Sequence, residues 1–480
     1  MKIPDRLVGF VEYDNTEMAF EFDAHEFRIN LYPSKELWKK YSRPSFAFGK
    51  HKFDYTVHEW IPEGRLEGVS SAGYRVIFSI QDDPSIYSGF LSYYVHWYFI
   101  CSNGVDDECI QGFSLTGDVV NSFYSPSAVL EQTHEFDPDS SNSKFTVTTT
   151  DTPARSCGQL TVTESLSASI EVDAIASSAL GSHEQPIFAN SKLITTFSEP
   201  VTLATIIQTF QYLMRFFMFI TYRGNVAFKK VDLFVLNENG KRDYRGLLVF
   251  PQTRKLETNR DASRHLILYE DLRERVTSVL LDIQSGVLSF QHVCESYDDR
   301  RSYPISRVIM VLAAFERLYG SVYGKDTDRS ELYVSTKDEV VRLIDGFEKA
   351  CTGKRRKYVK TLKDFVDNRD SSYASNVAFA CKDCAEIMRP FITRRYKGEF
   401  NETVVDLADR IGVIRNGVAH CKLDFSLEAI HLSDIHIMEE LLYAIELKHI
   451  GLSVQECQHA IGRLFKENIY FPKDSNVTAQ

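Results

Sequence analysis

The sequence predicts an α+β protein, with a β-rich antiparallel amino-terminal region followed by an all-α helical bundle. Between residues 6 and 197, short alternating or aromatic-rich segments are separated by turn-forming Asp, Asn, Gly, Pro and Ser. Between residues 303 and 471, apolar residues recur three or four positions apart, which indicates helices. We therefore predict a β-rich domain at 1–198, an α/β segment packing on it at 199–300 and a bundle at 301–480.

The amino-terminal region is predicted to form an antiparallel sandwich or barrel-like sheet. Its opening, GFVEYDNTEMAFEFDAHEFRINLY, indicates three consecutive strands joined by turns at residues 14–16 and 23–25. The predicted strands are residues 8–13, 18–22, 27–32, 73–80, 93–101, 144–150, 159–170 and 192–197.

The middle segment begins where the period of the apolar residues changes. Pro200 precedes a densely apolar stretch, 201–220, whose length favours a largely buried helix. Residues 226–236 and 243–250 then predict a β-hairpin around the turn at 237–240.

The carboxy-terminal region is predicted to be an up-and-down bundle of six or seven helices with short connections. The predicted helices are residues 305–319, 337–350, 354–367, 372–395, 403–420, 427–450 and 453–465.

Composition limits the classes of function. The formal net charge of −11 argues against a protein that coats nucleic acid along its whole surface, although a local site remains compatible with it. Nine scattered cysteines favour reduced thiols over a disulfide framework. Because the sequence has neither a signal-peptide pattern nor an apolar run long enough for a bilayer, we expect a cytoplasmic protein without membrane contact.

The densest polar chemistry lies at the end of one predicted helix, residues 404–420, VVDLADRIGVIRNGVAH. Its apolar residues, Val404, Leu407, Ile411, Ile414 and Val418, form one stripe that we expect to be buried. Four polar side chains lie mostly opposite or beside this stripe: Asp409, Arg415, Asn416 and His420.

The spelling Arg415-Asn416-x-x-x-His420 resembles the R-x(4-6)-H signature of the HEPN superfamily, whose ribonucleases carry it on a helix of a small α-bundle. A β-rich region followed by such a bundle resembles the ApeA-like HEPN proteins of phage defence. The resemblance implies a metal-independent endoribonuclease acting in abortive infection, with Arg415, Asn416 and His420 as catalytic residues. It implies RNA, including tRNA, as substrate, a phage-derived trigger sensed or controlled through the amino-terminal region, and no cofactor or metal.

These residue types suit RNA cleavage by the 2′-hydroxyl. His420 can transfer protons near neutral pH, and Arg415 can stabilise charge on the phosphoryl oxygens. However, five helical residues separate the two side chains by about 140°. HEPN ribonucleases commonly bring two motifs into one cleft, so we expect a homodimer with a composite active site.

Several candidates have structural alternatives. Arg415 is equally suited to a bundle salt bridge with Asp409 or Glu316, and His420 is equally suited to capping the end of a helix. If these roles are structural, the alternative function is a non-catalytic RNA-binding or dimerisation scaffold with a ligand-sensing β domain. Under the catalytic interpretation, Glu316 and Asp409 are supporting residues. Arg260 and His265 match the same spacing in a polar loop, and we interpret that pair as a chance match.

Other polar groups are less specific. Two basic clusters in the bundle are candidate RNA contacts, although solvated helix faces are the usual explanation; they comprise Lys354, Arg355, Arg356 and Lys357, with Arg394 and Arg395. Cys381 and Cys384 are interpreted as packed thiols. No two of His431, His436 and His449 stand four residues apart, so we interpret them as exposed or interhelical.

Overall fold

The computed structural model describes residues 4–41, 64–81, 84–102, 107–137, 142–178, 187–228, 230–251, 256–324, 331–368, 372–419, 427–467 and 469. These residues form an antiparallel β-rich amino-terminal region and a helical carboxy-terminal region, as predicted for an α+β chain. The chain divides into two compact units. One comprises Met1–Phe217, Asn225–Ser263 and Arg273–Leu281, and the other comprises Met218–Gly224, Arg264–Leu272 and Asp282–Gln480. Segment 199–300 contributes to both units.

The strands of the described residues pair antiparallel in one large sheet and one separate hairpin. In chain order they are β1 Arg6–Tyr13, β2 Thr16–Asp23, β3 Arg28–Tyr32, β4 Gly64–Ser70, β5 Tyr74–Ile80, β6 Ser85–Tyr87, β7 Phe90–Ser102, β8 Ile110–Thr116, β9 Leu130–Asp137, β10 Asn142–Thr149, β11 Arg155–Thr161, β12 Ser167–Ser178, β13 Ile187–Val201, β14 Val231–Leu236 and β15 Arg242–Val249.

Part of the large sheet closes on itself. The order β7-β3-β2-β1-β4-β5 returns to β7, because β5 also pairs with that long strand. Alternate residues point inward, so Phe22, Phe78 and Tyr98 meet with ring centroids 4.9 to 6.1 Å apart. Gly9 allows β1 to approach β4 closely, since a Cβ there would lie 2.1 Å from the Val69 carbonyl oxygen. The result is a barrel-like core of aromatic and aliphatic side chains.

The sheet continues beyond the barrel through β15, which pairs with β7, and then through β14, β8, β13, β12 and β11. The single strand predicted at 159–170 is in fact the end of β11 and the start of β12. A tight turn separates the two strands, with the Val162 N–H donating to the Leu166 carbonyl. This turn was not predicted because it contains no Gly, Pro, Asn or Asp.

The helices of the described residues are α1 Lys35–Tyr41, α2 Asp118–Phe123, α3 Leu203–Thr221, α4 Tyr269–Leu272, α5 Val276–Gln284, α6 Ile305–Val322, α7 Glu331–Ala350, α8 Gly353–Asn368, α9 Tyr373–Asp383, α10 Ala385–Arg395, α11 Phe400–Ala419, α12 Ala429–His449 and α13 Val454–Leu464. The long helix predicted at 372–395 is divided at Cys384, whose ψ of 21° ends α9 and begins α10.

Helix α12 is the centre of the helical region. It packs against α6, α10, α11 and α13, and nearly every residue from Asp434 to Leu447 is buried. Its sequence has no single apolar stripe, as expected for a helix covered on all sides. Its acidic residues are therefore buried as well, and they need partners from the surrounding helices.

Helix α3 is the one helix of the described residues that is long and apolar enough to cross a membrane by length and composition. In the structure, 56% of its apolar window is buried within the protein. The core helices of soluble proteins meet the same criterion, so length and composition alone do not assign α3 to a membrane.

Candidate functional site

The predicted apolar stripe of α11 is buried. Val404, Leu407, Ile411 and Ile414 are fully covered, and Val418 is 9% exposed. This packing fixes the rotation of the helix and turns Arg415 and Asn416 outward. The structure therefore presents two of the three motif residues at the surface, near the carboxyl end of α11.

Arg415 meets one of its predicted supporting residues. Its Nη2 lies 3.5 Å from Glu316 Oε1 on α6, and both side chains are substantially exposed, at 40% and 58%. An ion pair this exposed contributes about 0–1 kcal/mol to stability. The guanidinium is thus oriented by Glu316 yet open to a ligand, while the other supporting candidate, Asp409, is exposed on α11.

A half-buried tyrosine, Tyr373, supports this corner. The Tyr373 hydroxyl donates to the Leu312 carbonyl oxygen at 3.0 Å, and its ring packs against Phe315 with centroids 5.5 Å apart. Burial raises the pKa of Tyr373 well above its usual value, and the nearby Glu316 charge adds to this effect. The phenol therefore stays neutral and acts as a packing and hydrogen-bonding group.

The third motif residue, His420, lies outside the described residues, immediately after the end of α11 at Ala419. The structure brings Arg415, Asn416 and Glu316 to one exposed corner of the bundle.

The second pair with this spacing, Arg260 and His265, lies in a different environment. Arg260 begins a short 3-10 turn, and the His265 ring stacks on Tyr297 with its Nδ1 3.1 Å from the Arg463 carbonyl oxygen. His265 is therefore held by packing and by a backbone contact.

The two basic clusters differ in their availability to RNA. Arg395 is largely buried and donates to both oxygens of Glu440, at 2.7 and 3.0 Å, and also to Glu467. Arg394 pairs with Glu467 at 3.0 Å but is 42% exposed. The charge of Arg395 is compensated inside the bundle, which leaves Arg394 as the accessible member of that cluster.

The other cluster occupies the first turn of α8, where all four side chains are exposed. Arg356 pairs with Glu348 at 3.3 Å, and the Arg355 guanidinium lies 5.2 Å from the centroid of the Phe347 ring. Lys354 and Lys357 complete the cluster.

A second polar centre, which the sequence pattern did not predict, surrounds α12. Three of its buried carboxylates each meet an arginine from a different helix. Arg410 of α11 binds Asp434 at 2.8 Å, Arg307 of α6 binds Glu439 at 2.8 Å, and Arg395 of α10 binds Glu440. These ion pairs connect the central helix to three of its neighbours.

His436 joins two of these pairs. Its Nδ1 lies 2.9 Å from the Tyr303 hydroxyl and 3.4 Å from Glu439 Oε2, and its Nε2 lies 3.5 Å from Glu467 Oε1. Burial alone would lower the pKa of His436, but hydrogen bonds to Glu439 and Glu467 and the charge of Glu440 raise it to about 9. The imidazole is therefore a cation at neutral pH, and we call these residues with Arg307 and Arg395 the α12 network.

Three members of the α12 network are grouped closely enough to be metal ligands. His436, Glu440 and Glu467 offer ligand atoms within 4.8 Å of one another. However, the Arg395 guanidinium hydrogen-bonds to both carboxylates, and Nη2 contacts the same Glu440 oxygen that faces His436 Nε2. The residues present do not fit a metal ion there, because a fixed guanidinium already supplies the positive charge.

The signal for this network was present in the sequence. His436, Glu439 and Glu440 lie together on one side of an otherwise apolar helix, and Asp434 lies on the other. Charged residues within a helix that is otherwise apolar all round indicate buried ion pairs.

The environment of the two C-x-x-C cysteines agrees with their interpretation as packed thiols. Cys381 and Cys384 are both buried, and burial raises the pKa of each thiol above its usual value. Raised pKa values disfavour the thiolate that metal binding or redox chemistry requires.

Comparison of the chain with protein-family models, curated proteins and solved structures finds no significant match.

Proposed function

We propose that the protein is a metal-independent endoribonuclease of the HEPN type, similar to the ApeA-like phage-defence proteins, with its active site at the carboxyl end of α11. The observation that carries the proposal is the exposed Arg415-Asn416 pair on a helix whose apolar stripe is buried, with His420 four residues after Asn416. The two motif residues that are described are accessible to a ligand as large as RNA.

In the proposed reaction the ribose 2′-oxygen attacks the adjacent phosphorus, forming the P–O2′ bond while the P–O5′ bond breaks. A base removes the 2′-hydroxyl proton, and an acid protonates the leaving 5′-oxygen; His420 performs one of these transfers. Arg415 binds the phosphoryl oxygens, where charge increases in the transition state. Asn416 orients His420 or binds the RNA.

Glu316 has a positioning role in this proposal. In the free protein it holds the Arg415 guanidinium by a single contact of 3.5 Å. A phosphate can replace this exposed partner at little cost, since the ion pair is worth about 0–1 kcal/mol. Binding of RNA would therefore release Glu316 and engage Arg415.

A homodimer completes the proposed site, because a spacing of five residues would separate two side chains of an ideal helix by about 140°. The proposed RNA contacts outside the centre are the accessible cations Lys354, Arg355, Arg356, Lys357 and Arg394. Arg395 is excluded, since its charge is compensated by Glu440 and Glu467.

The biological setting is proposed from the same resemblance. Cleavage of host or phage RNA, including tRNA, would stop growth of the infected cell, and the amino-terminal region would restrain the enzyme until a phage-derived trigger appears. Protein purified from infected cells should then cleave RNA faster than protein from uninfected cells. Equal rates would contradict the proposed restraint.

The test of catalysis uses full-length protein and total RNA. Arg415→Ala should lower the cleavage rate by about 10²–10³-fold and His420→Ala by about 10²–10⁴-fold, while EDTA leaves the rate unchanged. Arg260→Ala, from the second spacing match, is the matched control and should cleave normally. Retained cleavage in the Arg415 and His420 variants would refute the mechanism.

The Arg415–Glu316 ion pair also favours the alternative, a non-catalytic RNA-binding or dimerisation scaffold in which the arginine is structural. Under that alternative, Arg415→Ala and Glu316→Ala would cause equal losses of stability, and no variant would change RNA cleavage above background.

A further inference from the structure

Helices α7 and α8 form an antiparallel hairpin, which we call the arm. Each helix makes its most extensive contacts with the other, and the pairs Lys363–Asp345 at 2.6 Å and Arg356–Glu348 at 3.3 Å join them. Most of the described side chains of both helices are exposed. The arm is therefore open to a ligand along much of its surface.

The arm lies in the chain between the two helices that hold the corner around Arg415. Helix α6, which precedes the arm, carries Glu316, whose Oε1 lies 3.5 Å from Arg415 Nη2. Helix α9, which follows the arm, begins at Tyr373, whose hydroxyl donates to the Leu312 carbonyl oxygen of α6. The base of the arm is thus joined on both sides to the proposed active site.

The local charge of the arm is opposite to that of the whole chain. Residues 349–363 contain seven cations and no acid, although the net charge of the protein is −11. Six of these cations are exposed, namely Lys349, Lys354, Arg355, Arg356, Lys357 and Lys360. A basic surface on an acidic protein is typical of a binding site for a polyanion.

Aromatic rings lie among these cations. Tyr358 is 67% exposed, and Lys354 and Arg355, four and three residues before it, share its side of α8. The Arg355 guanidinium lies 5.2 Å from the centroid of the Phe347 ring, which is 49% exposed. One surface of the arm therefore presents two rings together with two cations.

Aliphatic side chains extend this surface. Leu343 is 70% exposed and lies one turn before Phe347, and Leu362 is 60% exposed and lies one turn after Tyr358. Phosphate groups can pair with the cations, but they cannot cover these apolar side chains. The ligand must therefore present apolar faces as well as negative charge.

Unpaired RNA has both properties. In a double helix the bases are stacked inside, so a surface arm would meet mainly phosphates and riboses. In a single strand the bases are free to stack on aromatic side chains while the phosphates meet nearby cations. The composition of the arm therefore favours a single strand over a duplex.

We propose that the arm selects the substrate, with Tyr358 stacking on an unpaired base and Lys354 and Arg355 binding the phosphates beside it. The substrate is then RNA with an unpaired segment. The proposal rests on the proposed function for the identity of the ligand as RNA, and it goes further by assigning a base contact and the required conformation of the RNA.

The experiment measures binding of the full chain to fluorescently labelled 2′-O-methyl RNA by anisotropy. The methyl group blocks the 2′-oxygen, so binding is measured without cleavage. The single strand should bind at least about 10-fold more tightly than the same strand annealed to its complement, and Tyr358→Ala should weaken single-strand binding by about 5–150-fold. Tyr358→Phe keeps the ring and should bind within about 2-fold of the unmodified protein.

Two lysine variants form a matched pair. Lys354 shares the side of Tyr358, whereas Lys360 lies on the opposite side of α8. Lys354→Gln should reduce the slope of log affinity against log salt concentration by about 0.7, as expected for one lost phosphate contact on a single strand. Lys360→Gln should leave the slope unchanged. All of these positions are exposed, so circular dichroism should show the same helix content in every variant.

Equal affinity for single strand and duplex, or unchanged binding by Tyr358→Ala, would overturn the proposal. Anionic lipid also combines phosphates with apolar groups, so sedimentation with vesicles containing phosphatidylglycerol is the second measurement. Binding to these vesicles that is lost in Leu343→Glu, together with equal affinity for single strand and duplex, would assign the arm to lipid and overturn the proposal equally.

Failure of the ribonuclease proposal gives a different result. A protein that cleaves no RNA but binds the single strand through Tyr358 would refute catalysis and support the arm. A protein that cleaves RNA, but whose affinity is the same in Tyr358→Ala, would support catalysis and refute the arm.

Discussion

Replacing His436 by glutamine should remove a stabilising contribution that depends on pH. The imidazole lies between Glu439 and Glu467, and its side chain is 24% exposed. Its pKa rises from 6.5 to about 9, because hydrogen bonds to these carboxylates outweigh the opposing effect of burial. At about 1.4 kcal/mol for each pKa unit, protonated His436 contributes about 3 kcal/mol to stability.

The sign of this contribution defines the test. A raised folded-state pKa means that the folded protein binds the proton more tightly than the unfolded chain. The contribution is therefore fully present below about pH 6.5 and is lost as the pH rises through about 9. His436→Gln should be about 3 kcal/mol less stable than the unmodified protein near pH 6 and nearly equal to it near pH 9.5.

The assay is urea denaturation of both proteins at these two pH values, followed by the circular dichroism of the helices. Other groups that titrate in this range are common to both proteins, so the difference between the two unfolding free energies isolates His436. A difference that is unchanged, or that grows, between pH 6 and pH 9.5 would refute the assigned charge of the imidazole.

Two further substitutions test the buried acids of α12. Glu446→Gln should stabilise the protein at pH 7, because burial and the neighbouring Asp282 carboxyl group raise the pKa of Glu446 well above its usual value. Thermal denaturation should show the gain at neutral pH and its loss below about pH 4.5, where the carboxyl is protonated in both the folded and the unfolded state. Arg395→Ala should cost about 3–5 kcal/mol in urea denaturation, because the buried Glu440 and the half-buried Glu467 would both lose the guanidinium that hydrogen-bonds to them. Arg394→Ala, the more exposed neighbour, should cost less than about 1 kcal/mol, and equal losses in the two variants would contradict this assignment.

Much of the fold could be predicted from the local spacing of apolar residues in the sequence. The opening strands, the α3 helix and most of the bundle helices occur where alternation or helical spacing predicted them, because burial of one face imposes that spacing on the sequence. The stripe from Val404 to Val418 is an example, since five apolar residues at helical spacing can be covered together only in a helix. The strand β8 was missed because its alternation is short: only Phe113 and Leu115 alternate with polar residues, next to Gly112.

Closure of the barrel could not be predicted in this way. The pairing of β7 with β3, β5 and β15 joins segments far apart in the chain, and strand period carries no information about the partner. The same limit applied to the candidate site. The spacing from Arg415 to His420 is visible in the sequence, whereas the contact between Arg415 and Glu316 depends on how α6 packs beside α11.

The sequence by itself determined the division into a β-rich and a helical region, the buried stripe of α11 and the polar residues that interrupt α12. Tertiary structure decided which charges remain available. Arg394 and Arg395 are adjacent in sequence, yet one is half-exposed and the other is bound by Glu440 and Glu467. The physical reason is that the electrostatic role of a side chain depends on its burial and on partners supplied by distant segments, neither of which local sequence specifies.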